Sequence, residues 1–189
     1  NLLVSYAYMT PKFVQFITDT QGSVRWLLDC GAFTACMRGS EINLDEYMQF
    51  IDDHGHLFWQ CVGLDVVGDK VGTRKNLARM KAHGLNPMPV LTIDEDVAKA
   101  GDMTDGPCNH LCVAGGLTEN MELFATRLAE VRKVVGPDVW LHGLGFARGL
   151  KVGGTEVDSV DASSWLSGPR WGRVTWFDQV RGVSSIGFR

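Results

Sequence analysis

Trp26-Leu-Leu-Asp29-Cys-Gly-Ala-Phe33 is the stretch on which the fold turns. An apolar run about as long as a buried strand ends on a carboxylate, and a glycine and a new segment follow. The same grammar recurs at Val62-Gly-Leu-Asp65, Val90-Leu-Thr-Ile-Asp94 and Val157-Asp-Ser-Val-Asp161. Most of these runs precede a helix-like segment, and such alternation predicts a parallel sheet with helices packed outside it. Parallel strands would gather the four carboxylates at one end of one sheet. Barrel enzymes place their chemistry at that end of the strands, so the pattern points to an enzyme site rather than a binding scaffold.

Outward from this stretch, strands are expected at 2–9, 24–29, 57–67, 88–93, 110–114, 139–144, 157–161 and 173–177. Thr10-Pro11 opens the first helix, with threonine as N-cap and proline in the first turn. Asn43-Leu-Asp-Glu46 resembles a capping box, followed by Leu44, Tyr47, Met48 and Ile51 at helical spacing, and Gly55 marks the stop. A helix over 73–83 ends at Gly84, and a short one is expected over 95–100. The clearest helix is capped by Thr118, carries Glu119 and Glu122 at its positive end and Arg132 and Lys133 at its negative end, and buries Met121, Phe124, Ala125, Leu128 and Val131. Seven or eight such units predict one domain over 1–189, an α/β chain folded as a compact (β/α)8 TIM-like barrel. A full barrel takes about 250 residues, so the last unit is expected to be degenerate or cut short. A doubly wound open sheet is the runner-up, but no GxGxxG follows the first strand.

With 189 residues, 45% hydrophobic and 21% charged, the chain has the bulk properties of a soluble domain with a sizeable core. No apolar run reaches the roughly 18 residues of a membrane span, and no signal-peptide pattern opens the chain. A net charge of −4 argues against tight nonspecific binding to nucleic acid. The tail is different: Arg170, Arg173, Arg181 and Arg189 face one acid, Asp178, and Trp171 and Trp176 lie between them. Arginine interleaved with tryptophan can hold phosphates and stack bases, though taken alone these residues read first as a solvated final segment with two core aromatics. Five cysteines without a CxxC pair indicate free thiols in a reducing compartment. Cys108-Asn-His110-Leu-Cys112 contains three metal-ligand types, but small buried residues explain it as well, and no metal is assigned.

Each chemical residue also has a plain reading. Asp94 is expected to cap the helix starting at Glu95. Asp65 and Asp69 could be loop carboxylates, His142 a core histidine, and Gly115-Gly116 a turn. As backbone donors before a helix, Gly115, Gly116 and Leu117 could also hold an electronegative ligand atom. The information lies in the ordered set.

Taken in order, the set resembles the tRNA-guanine transglycosylase superfamily, (β/α)8 barrels that exchange guanine in a polynucleotide for a 7-deazaguanine. Asp29-Cys-Gly-Ala-Phe33 is similar to the family's Asp-Ser-Gly-Gly-aromatic motif, and Asp65 falls where the family has a base-reading aspartate. Ala114-Gly-Gly-Leu117 matches its Gly-Gly-Leu loop, Leu141-His-Gly-Leu-Gly145 resembles Leu-Met-Gly-Val-Gly, and Val157-Asp-Ser-Val-Asp161 resembles the Asp-x-x-Asp stretch with the nucleophile. The resemblance implies that Asp161 attacks the sugar C1′ and that Asp29 is the general acid and base. This division of labour is that of retaining glycosidases, whose two carboxylates stand about 5 Å apart. It further implies that Asp65 accepts from guanine N1–H and the amino group. Gly115, Gly116, Leu117 and Gly143 would line the purine edge, with Phe33 and His142 stacked on its faces. Arg170 and Arg173 would touch the nucleic-acid backbone.

The departures from the family are specific. No Cys-rich zinc motif follows Asp161, the family's Pro-Thr-Arg is replaced by Ser163-Ser-Trp165, and the fourth-strand glutamine and glycine pair has no counterpart in Leu91-Thr-Ile-Asp94. Compact zinc-free relatives in phages place 7-deazaguanines such as preQ0 in DNA. The resemblance therefore implies DNA as partner, tRNA as the alternative, the free 7-deazaguanine base as second substrate, and no cofactor. It allows a homodimer or a partner subunit, and it places the protein in the cytoplasm, that of a bacterial host if the chain is phage-encoded. Two other readings use the same residues. One is a non-catalytic nucleic-acid-binding partner subunit of a transglycosylase; the other is a small carbohydrate hydrolase.

Overall fold

Parallel pairing begins at the N-terminus, where β1 (Leu2–Ser5) lies beside β2 (Trp26–Asp29) with Ser5 opposite Asp29. The structure, a computed structural model, describes residues 2–104, 108–115, 120–145, 157–161, 173–178 and 182–187. The chain divides into two units, Asn1–Val90 with Thr104–His110, and Leu91–Met103 with Leu111–Arg189. Three described sheets are present: β1-β2-β3, with β3 at Gln60–Cys61; β4-β5-β6-β7, with β4 at Val90–Thr92, β5 at His110–Ala114, β6 at Trp140–Leu144 and β7 at Ser159–Val160; and a hairpin of β8 (Arg173–Asp178) and β9 (Gly182–Gly187). Among the described residues six α-helices accompany them: α1 (Pro11–Asp19), α2 (Ala32–Met37), α3 (Leu44–His54), α4 (Lys70–Ala82), α5 (Lys99–Thr104) and α6 (Met121–Val135). This is an α/β fold. Among the described residues no closed barrel forms, and none of these helices is long and apolar enough to cross a membrane.

Local chemistry sets the helix starts. Thr10 Oγ1 accepts from Phe13 N, and Asn43 Oδ1 accepts from Asp45 N and Glu46 N. Asp69, read above as a loop carboxylate, is the N-cap of α4: its Oδ1 accepts from Val71 N and Gly72 N, and the helix starts three residues before the expected Thr73. At α6 the expected cap Thr118 lies outside the described residues, and Asn120 Oδ1 accepts from Leu123 N. Gly55 is no left-handed stop: its φ is −56° and it opens a short 3-10 turn over Gly55–Leu57. Asp94 does not begin a helix at Glu95. The carboxylates there turn back, Asp94 Oδ1 and Glu95 Oε2 both taking Thr92 Oγ1–H, and α5 starts only at Lys99.

Two strands depart most from expectation, one in length and one in pairing. The segment expected to be strand from Leu57 to Val67 keeps only Gln60–Cys61, followed by a single parallel bridge from Val62 to Met88. Beyond it, side chains replace the ladder as hydrogen-bond partners. Tyr47 Oη donates to Val62 O at 2.7 Å, Asn76 Nδ2 to Leu64 O at 3.2 Å, and Val66 N donates to Thr73 Oγ1 at 2.9 Å. Buried backbone groups must find partners, and here helices α3 and α4 supply them. The segment at 173–177 was expected as an eighth parallel strand. Instead β8 pairs antiparallel with β9, Arg173 opposite Gly187, as a three-residue connection permits; a parallel crossover takes about a dozen residues or more.

Each unit has its own core. In the first, Val4, Trp26 and Leu28 pack with Ile17, Tyr47, Met48, Ile51 and Met80. In the second, Leu91, Ile93, Leu111, Val113 and Leu141 pack with Ala100 and Met103 of α5 and with Phe124, Ala125, Leu128 and Val131 of α6. Side chains alternate along a strand, so Trp140 and His142 stand on the face of β6 opposite this cluster.

Candidate functional site

In the first unit the polar cluster forms around the end of β2. Asp29 is its last residue, and its Oδ2 accepts from Gly31 N at 3.0 Å. Gly31 then caps α2 with φ +82°, and a Cβ there would stand 2.8 Å from Ala7 N and 2.9 Å from both Ala7 Cβ and Ser5 Oγ. Only glycine meets the backbone angle and the space together. Between them Cys30, 1% exposed, turns its thiol inward to Asp65 Oδ1 at 3.0 Å. Asp29 and Asp65, 36 positions apart in sequence, are thereby tied to one dipeptide. Burial lifts the Asp65 carboxyl above the ordinary carboxylate range, an effect the thiol bond partly offsets. Burial, and then the neighbouring Asp29 and Asp65 carboxylates, hold the Cys30 thiol well above its usual value, so it remains a hydrogen-bond donor. Phe33, on α2, is 54% exposed and offers an open ring.

In the second unit the register of β6 and β7 sets His142 opposite Ser159 and Gly143 opposite Val160. Ser159 Oγ lies 2.7 Å from His142 Nδ1 and accepts from Trp140 Nε1 at 3.0 Å. Asp161, the residue after β7, has Oδ1 2.7 Å from Gly145 N and 3.3 Å from His142 Nε2. His142 is 2% exposed, so the stacking role expected of it finds no open ring face here; its nitrogens address a hydroxyl and a carboxylate instead. A separate pair anchors the same strands. Arg132, expected merely to suit the end of α6, is buried, bonds Gly136 O and Val139 O, and pairs with Asp158, whose Oδ2 also takes Leu141 N–H.

The structure therefore brings Asp29 together with Asp65 in one unit, and Asp161 with His142 and the Gly143–Gly145 turn in the other. Gly115 follows β5, with a Cβ position 3.5 Å from the Phe124 ring. Gly116, Leu117 and Arg170 lie outside the described residues, and Arg173 is the first residue of β8. Sequence reading missed Cys30, Trp140 and Ser159. A signal for the last two was present: Trp140-x-His142 and Ser159-x-Asp161 share the two-residue period that puts each pair on one face of its strand. Cys108 and His110 make no metal cluster. The Cys108 thiol reaches Pro87 O and His110 O, and among the described residues no three His, Cys, Asp or Glu side chains gather as a metal site.

No protein-family model matches the chain, and no curated protein does. A solved structure described as "Structural study of Project ID from Aquifex aeolicus VF5" is similar in fold, with a TM-score of 0.52 at 13% identity. The similarity covers 81% of this chain and 58% of that one, so this chain spans little more than half its length. At that identity the likeness speaks for the α/β fold alone.

Proposed function

We propose that the chain is a base-exchange enzyme of the transglycosylase type, built on a (β/α)8 plan. It would replace guanine in DNA, or in tRNA as the alternative, with a 7-deazaguanine. The observation that carries the reading is the Asp29–Cys30–Asp65 cluster. Two carboxylates of unequal surroundings are held at the end of a parallel strand, beside a glycine that admits no side chain. Burial raises the proton affinity of Asp65, and surroundings of this kind are how a site divides roles between its carboxylates.

In this reading an oxygen of Asp161 attacks C1′ of the target nucleotide. The C1′–N9 bond breaks, guanine leaves with the bonding pair, and the sugar stays esterified to the aspartate. The incoming base gives up its N9 proton, its nitrogen attacks C1′, and Asp161 is released. Asp29 carries the proton in both halves. Asp65 reads the guanine N1–H and amino group, and Phe33 lies against the base.

Incubation with radiolabelled guanine or preQ0 and either duplex DNA or tRNA tests the proposal. Label is expected in DNA, and Asp161→Asn should lower incorporation by about 10³-fold or more. No label in either polymer would defeat the reading. Activity that survives Asp161→Asn in the presence of a second subunit would favour the partner-subunit alternative.

A further inference from the structure

We propose that Ser159 and Trp140 are positioning residues that fix the proton of His142 on Nε2, so that the imidazole holds Asp161 Oδ1 and leaves Oδ2 to react. Hydrogen-bond inventory supports the first half. Tryptophan Nε1–H is a donor only, so Trp140 occupies one lone pair of Ser159 Oγ. Ser159 then faces His142 Nδ1 at 2.7 Å with its own proton and one remaining lone pair. On the other side of the ring, Nε2 lies 3.3 Å from a carboxylate oxygen. A bare Nε2 there would set lone pair against negative charge in a site where the imidazole is 2% exposed. A proton on Nε2 removes that repulsion, and the serine O–H completes the ring by donating to Nδ1. In this geometry Nε2 has no aligned hydrogen bond among the described residues, and Asp161 Oδ1 is the acceptor placed to take it on a small turn of the carboxylate.

The second half follows from Asp161. Its Oδ1 already accepts from Gly145 N at 2.7 Å, and His142 would add a second donor to the same atom. Among the described residues no hydrogen bond engages Oδ2, and the side chain is 24% exposed. Among the described residues one oxygen is held and the other is open. A nucleophile built this way attacks through Oδ2 with its plane set by the backbone of Gly145 and the ring of His142. None of Trp140, His142 and Ser159 needs to touch the substrate. This positioning role rests on the proposed nucleophile role of Asp161; the protonation of His142 does not.

Nitrogen-15 NMR of the full chain labelled at histidine tests the two halves separately. The His142 ring is expected to show a protonated Nε2 and an unprotonated Nδ1. In Ser159→Ala the Nδ1 partner is gone and the two tautomers should mix, while Ser159→Thr, which keeps a hydroxyl on a strand-favouring residue, should restore the wild-type pattern. Base exchange should follow, with kcat down about 10-fold in Ser159→Ala, KM for DNA unchanged, and recovery in Ser159→Thr. A wild-type ring protonated at Nδ1 alone, or a ring unchanged by Ser159→Ala, would overturn the proposal. Absence of all exchange activity together with the expected NMR pattern would defeat the proposed function and the positioning role with it, leaving the protonation of His142 standing.

Discussion

The thiol of Cys30 donates to Asp65 Oδ1 at 3.0 Å, joining the end of β2 to a loop 35 residues further along the chain. The bond holds a carboxylate in surroundings that disfavour its charge. Burial raises its proton affinity, so the folded chain binds this proton more tightly than the unfolded chain does. Stability from this group is therefore greatest below the ordinary carboxylate pKa and is lost as pH rises through the raised folded value.

Asp65→Asn should remove that cost while keeping an acceptor for Cys30. Urea denaturation is expected to show the variant at least as stable as wild type at pH 7, with its advantage shrinking toward pH 4. If the proposed base exchange holds, the same variant should also lose guanine incorporation in that assay. A variant less stable than wild type at pH 7 would show that the charge, rather than the acceptor, is what the fold needs.

Gly31→Ala should be costly for two additive reasons. A left-handed φ strains an L-residue by about 1–2 kcal/mol. The new methyl would also press on Ala7 and Ser5 inside 3.0 Å, and overpacking adds about 1–3 kcal/mol. Equilibrium unfolding should register a loss of about 3 kcal/mol. Gly39→Ala makes the control, because it shares the left-handed φ but nothing lies within 4 Å of its Cβ position, so it should lose only the first part.

Thiol labelling should separate one cysteine from four. Cys36 is exposed, whereas Cys30, Cys61, Cys108 and Cys112 are buried. The Cys61 thiol is pushed up to about 12 by burial and by Cys108 beside it. The thiolate is the reactive form, so native protein treated with iodoacetamide at pH 8 should carry a single adduct, at Cys36. Mass spectrometry should find five adducts after denaturation. A native adduct at Cys30 would mean that the Cys30–Asp65 bond opens readily.

Arg132→Met tests the anchor between α6 and the segment leading into β7. The change preserves the length of the stem but strips donors from Gly136 O, Val139 O and Asp158. Because Asp158 is about one-third exposed, water can recover part of the loss. A cost of about 2–4 kcal/mol is expected, at the lower side of values for breaking buried pairs. The Asp158→Asn variant should cost less, since Arg132 keeps both carbonyls and an amide oxygen.

What the chain determined by itself was local. Thr10, Asn43 and the residues around them cap helices through bonds to atoms two or three positions away, and β5 lies where its apolar run lies. Alternating runs also determined the α/β class, because a strand buried on both faces and an amphipathic helix leave different periodicities. Tertiary structure decided the rest. Past the Val62–Met88 bridge the backbone left the ladder, with Tyr47, Asn76 and Thr73 reaching Val62 O, Leu64 O and Val66 N from helices. Asp65 met Cys30 only through that path, and Ser159 met His142 only through the β6–β7 register. Such pairings bring together groups 7 to 35 residues apart, and their partners are selected by which backbone groups remain unpaired once the elements pack. No periodicity within a single element records that choice.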